Sequence, residues 1–393
     1  MPQDYAAAIA SPVEVIPKPE QLDEQGIALC LSGGGYRAMV FHLGGLWRLN
    51  ELGFLKRLTR VSSVSGGSIT AGVLGLAWTR LQFDANGFAA NFTPEIVDAV
   101  RNLARHTIDE GAIITGILTP GSIADKVTQA YRTHVFGSAT LQDLPLQAAG
   151  PRFVINASNV QTGALWRFSQ AYMADYKVGM IRLPTVEIAV AVAASSAFPP
   201  VLSPLRLTVD PAAFDPSENG PLHQPPFTTD VVLTDGGVYD NLGLETAWKR
   251  CRMVLVSDGG GQMGPDAEPE TDWARHALRI NDLIDNQVRA LRKRQVIASF
   301  EGASTKTGDW RTGAYWGVRS QVADYGLPDA LPCPPDKTWK LATIPTRLKR
   351  LDDVVQERLI NWGYAICDTA MRTWVVNDAP AASFPYPDAG LGD

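Results

Sequence analysis

The sequence contains little cysteine, and this limits its chemistry. Its four cysteines, at positions 30, 251, 333 and 367, form no CxxC pair, and none lies at metal-ligand spacing with a histidine. Neither a disulfide framework nor a cysteine-rich metal site is therefore expected. We expect four reduced, mostly buried thiols in a cytoplasmic protein, because an unpaired cysteine packs as a small apolar side chain.

Positive charge is not in excess either. Lys and Arg number 35 against 41 Asp and Glu, and the net charge is −6. General nucleic-acid binding usually needs a basic face, so it is not expected here.

Long apolar runs are also lacking. The most apolar stretch, residues 61–78, carries four serines, a threonine and four glycines, which favours strand, turn and helix over a membrane span. Residues 1–26 show neither the basic segment nor the apolar core of a secretory signal, so none is expected. A membrane substrate would have to be met from the water side.

The order of apolar segments predicts an α/β fold. Residues 27–31 form a continuous apolar run, as in a strand buried on both faces. A helical pattern then reaches Gly53, the next strand is expected over 58–64, and another helix over 68–80. Short connections between alternating strands and helices predict a mostly parallel central sheet flanked by helices.

The chain is expected to form one core with additions. Residues 1–26 are expected to be an N-terminal arm, and residues 27–262 the α/β core, with a helical insertion at about 81–150. The proline-rich segment 205–230 is expected to be a loop. Residues 263–393 are expected to be a C-terminal helical extension packed on the core, with amphipathic helices at about 272–300 and 346–376.

A glycine-rich turn follows the first predicted strand. Gly33, Gly34 and Gly35 let the backbone bend tightly, and the helix that follows offers unpaired N–H groups to a phosphate or an oxyanion. Arg37 in the first helical turn opposes the helix dipole, which a bound anion would explain. The alternative is a structural turn with Arg37 in solvent, since the G-x-G-x-x-G frame fails.

Ser65 is the candidate nucleophile. It lies between a predicted strand and helix, and Gly66 and Gly67 are the small neighbours that a sharp turn needs if it is to expose a serine hydroxyl. In the frame G-x-S-x-G, Gly67 supplies the last position and Ser63 replaces the first glycine. The alternative is a polar turn without catalytic function.

Three other serines compete with Ser65. Ser62 and Ser63 fall inside the predicted strand, and Ser68 is expected to be the N-cap of the next helix. Only Ser65 falls at the bend itself.

A serine nucleophile needs a proton acceptor within hydrogen-bond reach. No histidine lies at a strand end with small neighbours; the five are His42, His106, His134, His223 and His276. Asp235 ends a predicted strand and precedes Gly236 and Gly237, which leave room for a substrate. Asp258, before Gly259, is a rival of the same kind, and either aspartate is alternatively a turn residue. Because ligands collect beyond the carboxyl ends of parallel strands, we expect the three segments at 33–35, 65 and 235 to converge on one rim.

Four segments in order resemble the patatin-like phospholipase family. They are residues 32–38 (Ser-Gly-Gly-Gly-Tyr-Arg-Ala), 63–67 (Ser-Val-Ser-Gly-Gly), 193–200 (Ala-Ala-Ser-Ser-Ala-Phe-Pro-Pro) and 235–237 (Asp-Gly-Gly). The resemblance spans about residues 27–262. It implies a three-layer α/β/α fold and a lipid acyl hydrolase of the phospholipase A or lysophospholipase type, without metal or cofactor.

The resemblance also implies roles for individual residues. Ser65 would attack an ester of a membrane phospholipid, and Asp235 would accept its proton in a Ser-Asp dyad. The oxyanion hole would be formed by Gly33, Gly34, Gly35 and Arg37. Gly67, Gly236 and Gly237 would support the two turns. An acyl-enzyme would form and be hydrolysed by water.

Location and regulation are further expectations. Bacterial enzymes similar to this one include effectors of antiviral defence that are switched on by cyclic oligonucleotides, so such an activator is a hypothesis here. A cytoplasmic enzyme with peripheral contact with the inner membrane is expected, and an oligomer is compatible with the sequence. Two other function classes stay open, namely a carboxylesterase acting on small soluble esters and a non-catalytic module that binds a phosphate-bearing ligand.

Two surfaces are candidates for lipid contact. The first comprises Phe83, Phe88 and Phe92 or the apolar run 112–118, which could form a lid, although core packing is the simpler explanation. The second is a basic cluster on one predicted helix, which could bind headgroups or a phosphorylated activator or simply be solvated. Its members are Arg289, Arg292, Lys293 and Arg294.

Overall fold

The computed structural model describes residues 22–109 and 123–392. The strands are β1 Asp23–Leu31, β2 Arg60–Val64, β3 Arg152–Asn159, β4 Ala164–Phe168, β5 Tyr172–Asp175, β6 Gly179–Arg182, β7 Leu205–Thr208, β8 Asp230–Asp235, β9 Cys251–Asp258 and β10 Thr312–Gly317. The α-helices are α1 Gly35–Glu51, α2 Gly66–Ala77, α3 Asp98–Ala104, α4 Ile123–Tyr131, α5 Ile188–Ser195, α6 Gly237–Asp240, α7 Glu245–Trp248, α8 Trp273–Glu301, α9 Pro335–Ala342 and α10 Asp353–Trp374.

All ten strands belong to one sheet with a parallel centre. The strand order is β10-β9-β1-β2-β3-β4-β5-β6, and β8 pairs with both β3 and β7. The five strands from β10 to β3 run parallel, whereas β4, β5 and β6 continue the sheet antiparallel. This confirms the predicted α/β class with a parallel central sheet and flanking helices.

Strand β1 shows why its sequence lacks polar alternation. Ala28 and Cys30 point into a core on one face of the sheet, and Leu29 and Leu31 into the larger core on the other. All four are buried because helices cover both faces. The thiols of Cys30, Cys251 and Cys367 are buried and unbridged, and Cys333 is half-buried and unbridged.

Strand β8 approaches the centre of the sheet from the opposite direction to β2. Residues 60–64 of β2 pair in parallel with residues 152–156 of β3, and the next residue of β3, Ala157, pairs with Asp235 of antiparallel β8. Strands β2 and β8 therefore run toward each other along one edge of β3. The expectation that Asp235 would end a strand parallel to its neighbours is wrong, although the strand does end beside β2.

The proline-rich segment 205–230 and the C-terminal extension both differ from expectation. Leu205–Thr208 is a strand that pairs with β8, with Leu205 and Leu207 buried and the two residues between and after them exposed. The extension is not wholly helical, because β10 adds an edge strand parallel to β9. These short strands depend on partners far away in the chain, which local periodicity does not reveal.

The α/β core begins earlier in the chain than expected, and the expected insertion contains helices. Strand β1 begins at Asp23, inside the region 1–26 that was expected to be an arm; residues 1–21 lie outside the described part. The insertion expected at 81–150 contains α3 and α4, and the apolar run 112–118 lies outside the described residues.

Helix α10 is bound closely to α1. A Cβ atom on Gly44 would lie 2.0 Å from the carbonyl oxygen of Ile360, and one on Gly363 would lie 1.9 Å from that of Phe41, so the two backbones touch where side chains are absent. Buried Arg48 and Asp368 add an ion pair of 2.8 Å between the helices. Among the helices of the described ranges, none has the length and apolar character needed to cross a bilayer.

Candidate active site

Ser65 lies in a strained turn between β2 and α2. Its φ is 51° and its ψ is −121°, a backbone conformation that L-residues rarely adopt. The turn is possible only because its neighbour is small. A Cβ atom on Gly66 would lie 2.1 Å from the carbonyl oxygen of Gly35, and one on Gly67 would lie 2.4 Å from that of Leu31. Strain of this kind presents a serine hydroxyl at a strand-to-helix turn.

The competing serines are occupied in the interior. Ser65 is 7% exposed, whereas Ser62, Ser63 and Ser68 are fully buried. The Ser62 hydroxyl donates to the Gly243 carbonyl at 2.6 Å. The prediction that Ser68 caps α2 is wrong, because the helix begins at Gly66, and the Ser68 hydroxyl bonds to that of Ser63 at 3.0 Å instead.

Ser195 stabilises the strained turn. The backbone N–H of Ser65 donates to Ser195 Oγ at 2.9 Å, and this hydroxyl donates in turn to the Asn156 carbonyl at 2.6 Å. The Ser195 carbonyl also accepts from Gly236 N–H at 3.2 Å, and the Ala197 carbonyl accepts from Asp235 N–H at 2.9 Å. The end of α5 therefore contacts both the Ser65 turn and the Asp235 turn.

Asp235 is a buried carboxylate with an unusual pKa. Burial, with a smaller contribution from nearby Asp285, raises the pKa of its carboxyl to about 7. The N–H of Gly237, which donates to Oδ1 at 2.7 Å, and the Ser65 side chain both act to lower it. A carboxylate with a pKa near neutrality is suited to accept and return a proton at physiological pH.

The side chains of Ser65 and Asp235 are adjacent, but they form no hydrogen bond of standard length and angle. The Ser65 side chain is close enough to lower the pKa of Asp235 as a donor. Asp235 Oδ2 nevertheless has no partner of standard length and angle among the described residues. Catalytic pairs often tighten to full hydrogen-bond geometry only when substrate binds.

The glycine turn leaves free donors beside Ser65. The N–H of Gly33 is engaged by the Asn241 carbonyl at 3.0 Å, so this residue has no N–H to offer. For the N–H groups of Gly34 and Gly35, no acceptor occurs within the described residues. Gly34 has φ 141° and Gly35 φ 62°, so only glycine fits this turn without strain.

The Arg37 side chain is occupied by protein. Its Nε donates to the Gly259 carbonyl at 3.1 Å, one Nη donates to the Ile344 carbonyl, and the other donates to Thr346 Oγ1 at 3.0 Å. Burial, together with Arg289 and Arg319 nearby, lowers its pKa to about 10. These contacts explain why a cation lies in the first turn of α1 without an anion being required.

The rival aspartate, Asp258, is also occupied. Its Oδ1 accepts from Gly260 N–H at 2.9 Å and pairs with Arg289 at 3.3 Å, while its Oδ2 accepts from the Tyr315 hydroxyl at 2.8 Å. Burial raises the pKa of Asp258, but Arg289 and the hydrogen bonds outweigh it, so the net shift is downward. A carboxylate stabilised in this way is a poor base.

His42 is buried and contacts Ser32, the residue before the glycine turn. Its Nδ1 lies 2.7 Å from Ser257 Oγ and its Nε2 lies 2.9 Å from the Ser32 carbonyl oxygen. Burial lowers its pKa to about 4, so the ring is neutral at pH 7. Both nitrogens are used in these contacts, as expected for a packed histidine.

Sequence reasoning missed two residues of this site. The sequence shows Ser195 only as part of a serine-containing segment, because its contact with the Ser65 N–H depends on tertiary structure. Asn241 was not noticed; a Cβ atom on Gly33 would lie 2.3 Å from Asn241 Oδ1 and 3.2 Å from Ser65 Cβ. Asn241 lies at the sixth position after Asp235, and its role depends on a contact with the distant Gly33.

Fold and site together define a class. A sheet with a parallel centre, helices on both faces and a serine in a strained strand-to-helix turn is characteristic of α/β proteins with a nucleophile elbow. Residues 29–248 match the family model of the patatin-like phospholipases. The chain therefore belongs to the patatin-like phospholipase family, a family of serine lipid hydrolases, and the resemblance seen in the sequence is confirmed.

Solved structures agree on the fold. Human GIVD cytosolic phospholipase A2 has 15% sequence identity to this chain and a TM-score of 0.52, with 88% of this chain and 58% of the human chain covered. The same human enzyme in complex with methyl gamma-linolenyl fluorophosphonate has 16% identity and a TM-score of 0.53, with 89% and 58% covered. The chain thus spans 58% of the length of that enzyme. No curated protein matches it significantly.

Proposed function

We propose that the protein is a lipid acyl hydrolase of the phospholipase A or lysophospholipase type, with Ser65 as nucleophile and Asp235 as general base. The observation that carries the proposal is the strained Ser65 turn directly beside a buried carboxyl whose pKa is about 7. Family membership supports a lipid ester as the substrate. This chain covers only 58% of the length of the matched human enzyme. The proposed activity therefore rests on the geometry of this site and on family membership.

The first half-reaction forms an acyl-enzyme. Ser65 Oγ attacks the ester carbonyl carbon while Asp235 takes the hydroxyl proton. The N–H groups of Gly34 and Gly35, which lack acceptors among the described residues, donate to the oxyanion. The bond to the leaving alcohol then breaks, and that alcohol takes the proton from Asp235. Gly33 and the Arg37 side chain act in this scheme by shaping the turn, because their donors bind protein.

The second half-reaction releases the fatty acid. Water attacks the acyl carbon and gives a proton to Asp235, and the Gly34 and Gly35 amides again bind the oxyanion. Collapse of this intermediate frees the fatty acid and returns the proton to Ser65 Oγ. One carboxyl thus acts as base and then as acid in each half, a role that suits its pKa of about 7.

A fluorophosphonate probe tests the nucleophile. We expect covalent labelling of the wild type, no labelling of Ser65→Ala, and loss of phospholipid hydrolysis in both Ser65→Ala and Asp235→Asn. Ser196→Ala is the matched control, because the Ser196 hydroxyl bonds to the Val192 carbonyl and does not contact Ser65. Labelling of Ser65→Ala at the wild-type level would falsify the assignment.

Two alternatives are separated by the substrate. A small-ester carboxylesterase would hydrolyse p-nitrophenyl butyrate but not phospholipid vesicles. A phosphate-binding module would do neither and would not react with the probe. The Ser65–Asp235 arrangement favours an enzyme, since a binding module needs neither residue in this geometry.

Regulation and location stay predictions from the sequence resemblance. Activation by a cyclic oligonucleotide, and with it a role in antiviral defence, predicts that adding cyclic dinucleotides stimulates vesicle hydrolysis. No stimulation by any of a panel of such compounds would contradict it. Cytoplasmic location with peripheral contact with the inner membrane predicts co-fractionation with membranes that is reversed by high salt.

A further inference from the structure

Helix α8 leaves an apolar surface uncovered. Over its 29 residues, several large apolar side chains are exposed. Trp273 is 86% exposed, Ile284 56% and Leu291 58%, and Ile280 is exposed as well. Of the three phenylalanines considered for lipid contact, Phe92 is buried and Phe83 packs against the core, whereas Phe88 is 38% exposed.

The spacing of these side chains places them on one face. Positions 273, 277, 280 and 284 follow the alternating four- and three-residue steps of an α-helix. Position 291 lies two turns further along the same face, with Gln287 between. At 1.5 Å per residue the row extends roughly 27 Å. We call this row the α8 face; it consists of Trp273, Ala277, Ile280, Ile284 and Leu291.

The α8 face lies beside the catalytic residues. Asp285, on the same helix, is near enough to Asp235 to raise its pKa. Arg289 pairs with Asp258 at 3.3 Å and donates to the Gly261 carbonyl, which fixes the helix to the loop after β9. Helix α8 also contacts α6, which begins two residues after Asp235. The inner side of α8 is therefore bound next to the active site, while no described residue covers Trp273, Ile284 and Leu291 on its outer side.

Other exposed apolar side chains border the same site. Phe198 is 52% exposed, and it follows Ala197, whose carbonyl accepts from Asp235 N–H. Val238 is exposed on α6. Two exposed apolar side chains thus lie on the segments next to Asp235, and exposed apolar patches mark contact surfaces.

Charge favours an anionic surface as the partner. Helix α8 contains six basic and three acidic residues in a chain of net charge −6, and four of the basic side chains pair with carboxylates. Arg294, at one end of the α8 face, is exposed and forms no ion pair with a described residue, whereas the Lys293 ammonium lies 4.7 Å from the centroid of the Tyr315 ring. A helix with an apolar face and basic flanks is typical of interfacial binding to anionic lipid. Pairing of two copies is disfavoured, since Gln287 and Arg294 occupy positions of the row that a helix pair needs apolar.

We propose that the α8 face docks the enzyme on an anionic phospholipid bilayer, with the Ser65–Asp235 site next to the membrane surface. This inference rests on the proposed function, because it specifies how the same site takes its substrate from a bilayer. Docking would bring the apolar side chains into the headgroup and acyl boundary, and the active-site rim with them.

The first experiment measures binding and hydrolysis of vesicles that contain phosphatidylcholine with or without phosphatidylserine. We expect the double variant Ile284→Gln/Leu291→Gln to sediment with anionic vesicles at least tenfold more weakly than the wild type. Its ratio of vesicle hydrolysis to p-nitrophenyl butyrate hydrolysis should fall at least tenfold. Leu146→Gln is the matched control: Leu146 is 60% exposed and lies before β3, at the opposite end of the parallel strands from Ser65.

A second measurement does not depend on the double variant. Anionic vesicles should shift wild-type tryptophan fluorescence to the blue, and Trp273→Phe should remove most of that shift. Trp374→Phe, in which a 64% exposed tryptophan at the end of α10 is replaced, should keep it.

Each outcome bears on the docking proposal separately from catalysis. Ser65→Ala should still bind vesicles while losing hydrolysis, and retained hydrolysis would overturn the proposed function but not the docking. Wild-type vesicle binding by the double variant would overturn the docking. If sedimentation velocity shows that Ile284→Gln/Leu291→Gln dissociates a wild-type oligomer, while the variant still binds vesicles, the docking proposal is overturned. The α8 face would then bind a second copy of the chain.

Discussion

The backbone N–H of Ser65 donates a 2.9 Å hydrogen bond to the hydroxyl of Ser195, a residue on a different helix. Ser65 has a backbone conformation that costs energy, so something outside the turn has to stabilise it. Ser195 does this and, through its own carbonyl, also binds the turn after Asp235. The Ser65 turn and the Asp235 turn are therefore both bound by one serine.

Replacement of Ser195 by alanine tests this role. Ser195→Ala leaves the Ser65 N–H without its acceptor, which should cost about 1–3 kcal/mol of unfolding free energy. As the turn relaxes, kcat should fall by roughly tenfold to a hundredfold. Ser196→Ala is the control for kcat. Wild-type kcat in Ser195→Ala would show that the Ser65 turn does not need this bond.

The pKa of Asp235 gives a prediction for catalysis. Because Asp235 must be ionised to accept a proton, kcat/KM should rise with pH and level off above about 7. A pH–rate profile checks this. A profile that is flat from pH 5 to 8 would exclude Asp235 as the base.

The same pKa gives a prediction for stability. The folded carboxyl, with its pKa raised from the ordinary 3.8 to about 7, binds protons more tightly than the unfolded one. Its contribution to stability is therefore fully present below pH 3.8 and is lost as the pH rises to about 7. Relative to Asp235→Asn, which cannot ionise, the wild type should lose unfolding free energy between pH 5 and 8. Urea titrations at both pH values measure this. If the difference between the two proteins does not change with pH, the carboxyl is not perturbed.

Gly66 should not accept a side chain. In Gly66→Ala the new Cβ would lie 2.1 Å from the Gly35 carbonyl oxygen, so the Ser65 turn and the glycine turn must separate. We expect a loss of about 1–3 kcal/mol of stability and a kcat at least a hundredfold lower. Gly264→Ala, where nothing lies within 4 Å of the new Cβ, is the control. Equal kcat values for the two variants would contradict the close approach of the two turns.

Arg37 should act as a structural tie. Lysine cannot bind the Gly259 carbonyl, the Ile344 carbonyl and Thr346 Oγ1 together, so Arg37→Lys should lower the unfolding free energy by about 2 kcal/mol. Amide exchange at residues 344–347 should become faster. Arg105→Lys, at an exposed pair with Asp353, should stay within about 0.5 kcal/mol of the wild type. If the Arg37→Lys variant keeps wild-type stability and exchange rates, Arg37 does not tie these segments together.

The features predicted well from the sequence are those specified locally. The buried strand before Gly33, the turn at Ser65 and the Asp235-Gly236-Gly237 end follow from apolar runs that stop at small residues. Their conformations depend on neighbouring atoms, since glycine alone permits the close contacts of the first two turns. Helix α1 ends two residues before Gly53, as expected, whereas α10 begins at Asp353 and not near residue 346.

The features that were missed are specified by distant partners. The antiparallel approach of β8 depends on its pairing with Ala157, and β10 is a strand because β9 offers it an open edge. Ser195 and Asn241 each act through a contact formed only after the sheet is assembled. The roles expected for Gly33 and the Arg37 side chain changed because their donors are taken by Asn241 and the loops around Gly259 and Ile344.

The meeting of β2 and β8 along β3 has a consequence for protein engineering. The separation of Ser65 and Asp235 is determined by where Asn156 and Ala157 pair, and not by the chain that joins the two residues. The proposed nucleophile and the proposed base could thus be supplied by two separately expressed fragments divided in the segment between β7 and β8. On reassembly, β2 and β8 would pair with β3 in the native register, and the proposed hydrolysis would return. The fold is therefore a candidate for a split reporter.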